Sequence, residues 1–302
     1  MSALLEVDGV SKMFTMGGLL SRHGVRAVEN ASFSLLDDRP EIFTIIGESG
    51  SGKTTLSRMI LGLETPSAGT IRFKGEPINA RSRADRTAFM AKVQPVFQNP
   101  FEAFNPLKRL DRYLASTARV FLDVKDKASI DRAMDEALQK VGLSLAEVAG
   151  RFPHELSGGQ LQRCAIARAL IPNPALLIAD EPVSMVDASL RMAIVNLLKA
   201  LRDDFGVSVI YITHDLATAY YISDRIMIMQ RGRVVEMGDA RTVLDDPEHP
   251  YSQLLKASVL STDDAGDGRL AVDPEAVRAV EALAERPGRH EARPDGRLVM
   301  RY

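Results

Sequence analysis

The stretch that most constrains this chain is residues 47–54, Gly-Glu-Ser-Gly-Ser-Gly-Lys-Thr, set behind the apolar run Ile-Phe-Thr-Ile-Ile at 42–46 and ahead of a helix-compatible segment at 55–63. Strand, glycine loop and helix in that order fit the P-loop pattern: glycines let successive backbone N–H groups turn inward around phosphate oxygens. Lys53 reaches the terminal phosphates, the Thr54 hydroxyl ligates magnesium, and the N-terminus of the next helix favours an anion. Gly47, Glu48, Ser49, Gly50, Ser51, Gly52, Lys53, Thr54 and Thr55 are therefore the expected contacts of a nucleotide triphosphate with Mg²⁺.

Composition narrows what such a loop serves. With 302 residues and 45% hydrophobic content, the chain has enough apolar material for an ordinary globular core. Lys and Arg number 38 against 40 Asp and Glu, a net charge of −2, so nothing general points to a nucleic-acid partner. The first eight residues carry acids where a signal peptide needs a basic start, and no apolar run approaches the ~18 residues of a membrane span. The expectation is a cytoplasmic chain whose membrane role, if it has one, needs a separate partner. The single cysteine, Cys164, permits no internal disulfide and reads as a small core residue on a helix.

Along the chain, residues 4–14 alternate like an edge strand and 25–36 repeat the pattern, with a glycine-bearing loop at 15–24 between them. Phe14, projecting from the first strand, reads either as a ring for stacking on a nucleotide base or as a core phenylalanine. Turns at 65–70 and 75–77 bracket a short strand at 71–74, giving a small antiparallel flap. A strand at 93–98 ends in a loop broken by Pro100 and Pro106. Helical spacing then runs over 107–122 and through Ile130, Met134, Ala137 and Val141, an inserted helical unit. A helix at 158–170, a buried strand at 175–179, a helix carrying Leu190, Ile194, Leu197, Leu198 and Leu201, and a buried strand at 207–212 follow. Strands alternating with helices argue for a largely parallel sheet with ligands at its carboxyl ends. Beyond 238 the compact pattern fades, and 261–302 is rich in Asp, Arg, Pro and Gly, with a short helix expected from Asp273 to Ala284.

Asp180 and Glu181 stand at the end of the buried run, where one carboxylate can serve a magnesium shell and its neighbour can orient or deprotonate water. Leu156-Ser-Gly-Gly-Gln160 opens a helix and offers a hydroxyl and backbone N–H groups to an anion; an ordinary N-cap explains the same residues.

Read in order, residues 47–54, Gln98, 156–160, 176–181, Asp187 and Thr213-His214 resemble the Walker A, Q-loop, signature, Walker B, D-loop and switch histidine of ATP-binding-cassette ATPases. The resemblance covers residue 1 to about 250. It implies an α/β fold with a RecA-like P-loop NTPase core, an antiparallel β flap and an inserted helical subdomain at about 99–165. The cassette would occupy 1–248 and a C-terminal extension, partly flexible, 249–302. By resemblance, Lys53 binds the β- and γ-phosphates, Thr54 binds Mg²⁺, Gln98 joins the metal and the catalytic water shell, and Asp180 supports Mg²⁺ through water. Glu181 is the general base, His214 contacts the γ-phosphate, and Phe14 falls where the family stacks adenine. Ser157, Gly158, Gly159, Gln160 and Asp187 would act in trans, on ATP held by a second cassette, either a paralogue or a second copy. The D-loop reads Ser184-Met-Val-Asp187 where Ser-Ala-Leu-Asp is commoner, and it keeps Asp187.

A narrower resemblance rests on residues 96–106, on Arg151-Phe-Pro-His-Glu-Leu-Ser157 and above all on His249-Pro-Tyr-Ser-Gln-Leu-Leu255, which look like the oligopeptide/dipeptide permease ATPases of bacterial importers. The loop at 17–20 before Val25 looks more like the second of the two paired ATPases. This implies a peripheral subunit on the cytoplasmic face of the cell membrane, working with integral permease subunits and, indirectly, a solute-binding protein. Members of that family serve peptides, nickel and some sugars. A soluble accessory ATPase, such as the cassettes accompanying carbon–phosphorus lyase, is the other reading of the same motifs. The tail carries no cysteine, so no iron–sulfur site is expected there.

Overall fold

The computed structural model describes residues 2–16, 23–78, 82–101, 103–263 and 274–302. The loop at 17–20, Glu102 and the stretch 264–273 thus lie outside the described residues. Two compact units emerge, one of Met1–Pro77 with Thr213–Tyr302 and one of Ile78–Ile212. In chain order the strands are β1 Ala3–Met16, β2 His23–Leu36, β3 Ile42–Ile46, β4 Ala68–Phe73, β5 Glu76–Pro77, β6 Val93–Val96, β7 Leu176–Asp180, β8 Ser208–Thr213, β9 Arg225–Gln230, β10 Arg233–Asp239, β11 Arg289–Ala292 and β12 Leu298–Arg301.

In the first unit the strand order is β5-β4-β1-β2-β10-β9-β3. The expected antiparallel flap is present as β2, β1, β4 and β5. β1 is not an edge strand, however: Leu5 pairs with Leu35 on one side and Phe73 on the other. Alternation reports which faces a strand buries and is silent on whether its edges are paired, so period alone led to the wrong position. β3 runs parallel to β9, and all five of its residues are buried. The Phe43 ring of β3 stacks on the Phe33 ring of β2 at 4.7 Å, and a strand buried along its whole length reads as a continuous apolar run.

The C-terminal part departs most from expectation. The short helix expected from Asp273 to Ala284 is present as Pro274–Leu283, but the pattern around it does not fade: helices Ala240–Asp245 and Pro250–Asp263 precede it, a hairpin of β11 and β12 follows, and β12 pairs with β10 at Glu236↔Val299 and Met237↔Leu298. Tyr251 and Val280 from these helices pack with Ile46, Leu216, Ile226, Ile228 and Val235 in one buried cluster. A four-residue strand flanked by arginines is too short to show a period, and its stability comes from the partner strand.

His249 lies at the heart of this closure, fully buried. The Tyr251 N–H donates to its Nδ1 at 3.1 Å. Nδ1 therefore carries no proton, and Nε2 donates to the Tyr302 hydroxyl at 3.2 Å. The Glu236 carboxylate, also fully buried, accepts the N–H groups of Glu248 and His249 at 3.0 and 3.1 Å. Arg297 approaches both Glu236 and Glu248, at 3.8 and 3.1 Å.

In the second unit β6, β7 and β8 are parallel with β7 in the middle. Pro95, which has no N–H to give, sits in β6 at the end of the order. Helices Leu110–Phe121 and Lys127–Gln139 bury Leu110, Leu114, Ala118, Ile130, Met134 and Leu138 at helical spacing, and Gly158–Leu170 buries Leu161, Ala165 and Leu170. Arg83–Lys92 adds a helix the apolar pattern did not announce; it buries no residue and is fixed by a capping box between Ser82 and Asp85. Cys164 is a buried helix residue whose thiol is pushed up to about 12 by burial. Among the described residues no helix is long and apolar enough to cross a membrane.

Burial lowers the His249 imidazole from 6.5 to about 4, so in that window the unfolded chain binds a proton the folded one refuses. Stability is then fully present above pH 6.5 and declines as pH falls toward 4. A urea titration across that range should show the midpoint dropping. The drop should be shallower in His249→Asn, whose amide oxygen accepts the Tyr251 N–H without titrating.

Candidate functional site

β3 delivers the chain into the glycine loop at 47–52, and helix Lys53–Ile60 begins directly after it. Two glycines there are steric requirements. A Cβ on Gly47 would lie 2.2 Å from the Met229 carbonyl oxygen and 2.6 Å from Ser51 Oγ. One on Gly52, whose φ is +102°, would lie 2.2 Å from the Ala27 carbonyl oxygen. The loop is thus wedged between β2 and the turn joining β9 to β10, and Gly232 N–H donates to the Ser51 carbonyl at 2.9 Å.

Lys53 is only 6% exposed. Its Nζ donates to the carbonyls of Gly47 and Glu48 at 2.6 and 2.8 Å, so the ammonium is held inside the loop by backbone oxygens. No side chain caps the helix it opens, which leaves the first-turn N–H groups for an anion. Ser51 Oγ is buried and has no hydrogen-bond partner among the described residues. Two crowded glycines, an uncapped helix start and an orphaned hydroxyl fit a bound phosphate. Thr54 is exposed and Thr55 half-buried on the first turn. Phe14 is an exposed ring on β1, 37% accessible, with the Lys12 ammonium 5.0 Å from its centroid. His214 is exposed just past β8, and Asp215 caps the next helix by accepting from Ala217 N–H at 2.9 Å.

The second unit carries the remaining candidates. Asp180 is the last residue of β7, so the strand runs one position further than the apolar run. Glu181 follows with φ +45°, a left-handed conformation that costs a non-glycine residue about 1–3 kcal/mol. Its N–H donates to the Ile212 carbonyl at 2.9 Å, and its own carbonyl accepts from Ser184 Oγ at 3.0 Å. These bonds fix the turn, and Gln98 Nε2 donates to Glu181 Oε2 at 3.1 Å. Gln98 and Glu181, 83 positions apart in sequence, are brought together.

Ser157 caps helix Gly158–Leu170: its Oγ accepts the Gln160 N–H at 3.2 Å and Gln160 Oε1 accepts the Ser157 N–H at 3.1 Å. The N-cap explanation of this motif therefore holds within the chain, and the Ser157 O–H proton is additional to it. A Cβ on Gly159 would meet Leu190 Cδ1 at 2.8 Å, so helix Gly158–Leu170 lies against helix Ala188–Phe205. Asp187 is exposed at the start of that helix and makes no side-chain cap bond.

One contact lies outside the residues expected from the loop motifs. Tyr251 Oη accepts the Glu48 N–H at 3.0 Å. The signal was present as His249-Pro-Tyr251, but nothing local connects that tripeptide to a loop 203 positions earlier.

A glycine loop at the end of a buried parallel strand, with its lysine inside and a bare helix start, defines a P-loop nucleotide-binding protein of the α/β class. The family model described as "ABC transporter" matches residues 28–184. The oligopeptide transport ATP-binding protein OppF of Streptococcus mutans is 40% identical over 260 residues, covering 86% of this chain and 82% of that protein. AppF of Bacillus subtilis, of the same description, is 40% identical over 260 residues, covering 85% and 78%. Among solved structures, the dimeric ATP-binding cassette MJ0796 in a post-hydrolysis state with ADP and Pi has a TM-score of 0.68 at 28% identity, covering 78% of this chain and 99% of that one. The structure of cbiO1 from Clostridium perfringens, part of the ABC transporter complex cbiONQ, has a TM-score of 0.70 at 26% identity over 87% and 99%. The chain belongs to the ABC transporter ATPase family.

Gly52→Ala should lower stability by about 1–3 kcal/mol, since it combines a left-handed φ with a backbone clash. A thermal melt gives the stability loss, and titration with ATP should show binding lost together with the loop geometry.

Proposed function

We propose that this chain is the ATP-hydrolysing subunit of a bacterial ABC importer that takes up oligopeptides or a related solute through a separate membrane permease. The observation that carries the reading is 40% identity to oligopeptide transport ATP-binding proteins over most of both chains. The His249-Pro-Tyr251 extension accompanies it. These relatives favour transport over the accessory role beside carbon–phosphorus lyase. Residues 1–248 serve as the cassette and 249–302 as its extension. The chain works on the cytoplasmic face of the membrane, paired with a second cassette that is either a paralogue or another copy; the dimeric state of MJ0796 supports pairing.

In this reading ATP is the substrate and Mg²⁺, when bound, neutralises charge on its phosphate oxygens. Lys53, held at the Gly47 and Glu48 carbonyls, meets the β- and γ-phosphates through an N–H donor, and the amides of residues 49–54 surround them. Thr54, Gln98 and Asp180 offer the hydroxyl, amide and carboxylate for the metal. Phe14 stacks on adenine, its exposure and the nearby Lys12 charge suiting a ring that takes a base. Glu181 takes the proton of the attacking water, oriented by its positive φ and by Gln98. His214 holds that water against the γ-phosphate. Ser157, Gly158, Gly159, Gln160 and Asp187 close on the ATP of the partner cassette, so closure and hydrolysis alternate to drive the permease.

Glu181→Gln should cut hydrolysis by about 10²–10⁴-fold while leaving ATP binding intact. With ATP present the variant should elute as a dimer in light scattering. Turnover at the wild-type rate by a strictly monomeric chain would sink the mechanism. Affinity purification should recover an integral membrane partner; recovery of a soluble multi-enzyme complex would point to the accessory role.

A further inference from the structure

The Tyr251 hydroxyl and the Glu48 amide belong to segments with no expected connection, yet they meet at the edge of one buried cluster that contains the Tyr251 ring. Tyr251 is 4% exposed, and its ring packs among Ile46, Leu216, Ile228 and Val280. Its backbone is tied to the His249 ring, which is tied to Tyr302, and the Glu236 carboxylate fixes the turn before it. Glu236 lies on β10 opposite Val299 of the C-terminal hairpin. The hydroxyl is thus positioned by a closed set of contacts that uses the last residues of the chain.

On the loop side, the peptide that Tyr251 grips holds the lysine. Glu48 N–H is engaged by Tyr251 Oη at 3.0 Å, while the carbonyls on either side of that residue's amide and α-carbon, those of Gly47 and Glu48, accept Lys53 Nζ. Fixing the Glu48 amide fixes the direction of the Gly47 carbonyl, because the two belong to one planar peptide. Burial raises the Tyr251 phenol to about 12, so the oxygen stays neutral throughout the working pH range.

We propose that Tyr251 is a positioning residue for ATP: the C-terminal extension holds the 47–48 peptide of the phosphate loop through one hydrogen bond, and so sets the loop's affinity for nucleotide. The proposal rests on the reading of residues 47–54 as the ATP site. It gives the extension a task within the cassette, preorganising the loop so that ordering it is not charged to ligand binding.

Tyr251→Phe removes the oxygen and keeps the ring in its cluster. Isothermal titration of the full chain with ATP and Mg²⁺ should show Kd raised about 5–10-fold, the size expected from one lost hydrogen bond to a partly buried amide. Hydrogen exchange should show the Glu48 amide losing protection while the flanking β3 amides keep theirs. Val280→Ala loosens the same cluster without touching the loop and should leave Kd unchanged. Unchanged or tighter binding by Tyr251→Phe overturns the proposal, as does an equal rise in Val280→Ala, which would make Tyr251 merely a core residue. Lys53→Ala separates the two levels: it should abolish binding, and ATP affinity that survives it would overturn the assignment of the loop itself.

Discussion

A lysine ammonium withdrawn from water must have its charge met by oxygen, and in this chain that requirement organises the loop. Lys53 is satisfied by the Gly47 and Glu48 carbonyls, which can point inward only because the backbone passes close to its neighbours. Gly47 abuts the Met229 carbonyl and Gly52 abuts that of Ala27. Those approaches depend on β9 and β2 being where they are, and β9 is held by its parallel pairing with β3. Two carbonyl oxygens take two of the three N–H groups of the ammonium, which holds the lysine in place inside the loop.

The second unit solves a different problem, presenting a carboxylate at the end of a fully covered strand. β7 and β8 are buried along almost their whole length, and Glu181 turns the chain out of β7 in a single left-handed residue. The Ile212 carbonyl and Ser184 determine that turn, and Gln98 meets the carboxylate. Strain of this kind persists when several bonds over-determine it, and here they come from three separate segments.

Much of this was legible. Helix 158–170 is found with those bounds, because Ser157 and Gln160 form a local capping box and a proline pair follows. The runs 175–179 and 207–212 appear as strands shifted by one residue, as expected where burial, not a sharp breaker, defines the end. The misplacement of β1 and the missed C-terminal hairpin share a cause. Both depend on which strand lies alongside, Phe73 beside Leu5 and Val299 beside Glu236, and pairing over such separations leaves no trace in a local period. Helix Arg83–Lys92 was missed for the opposite reason: it buries nothing, so it has no apolar stripe.

What the sequence by itself determined was the family: a glycine loop, paired acids, a capped helix at 158–170 and a histidine after a buried strand stand in an order specific enough to name it. These are contiguous motifs whose local backbone geometry is set within a few residues. What only the tertiary structure decided was which groups meet. Gln98 reaches Glu181, and Tyr251 reaches Glu48 across 203 positions. The physical reason is that hydrogen bonds are short and directional while the chain between their ends is long, so only the packed strands and helices bring the two ends together.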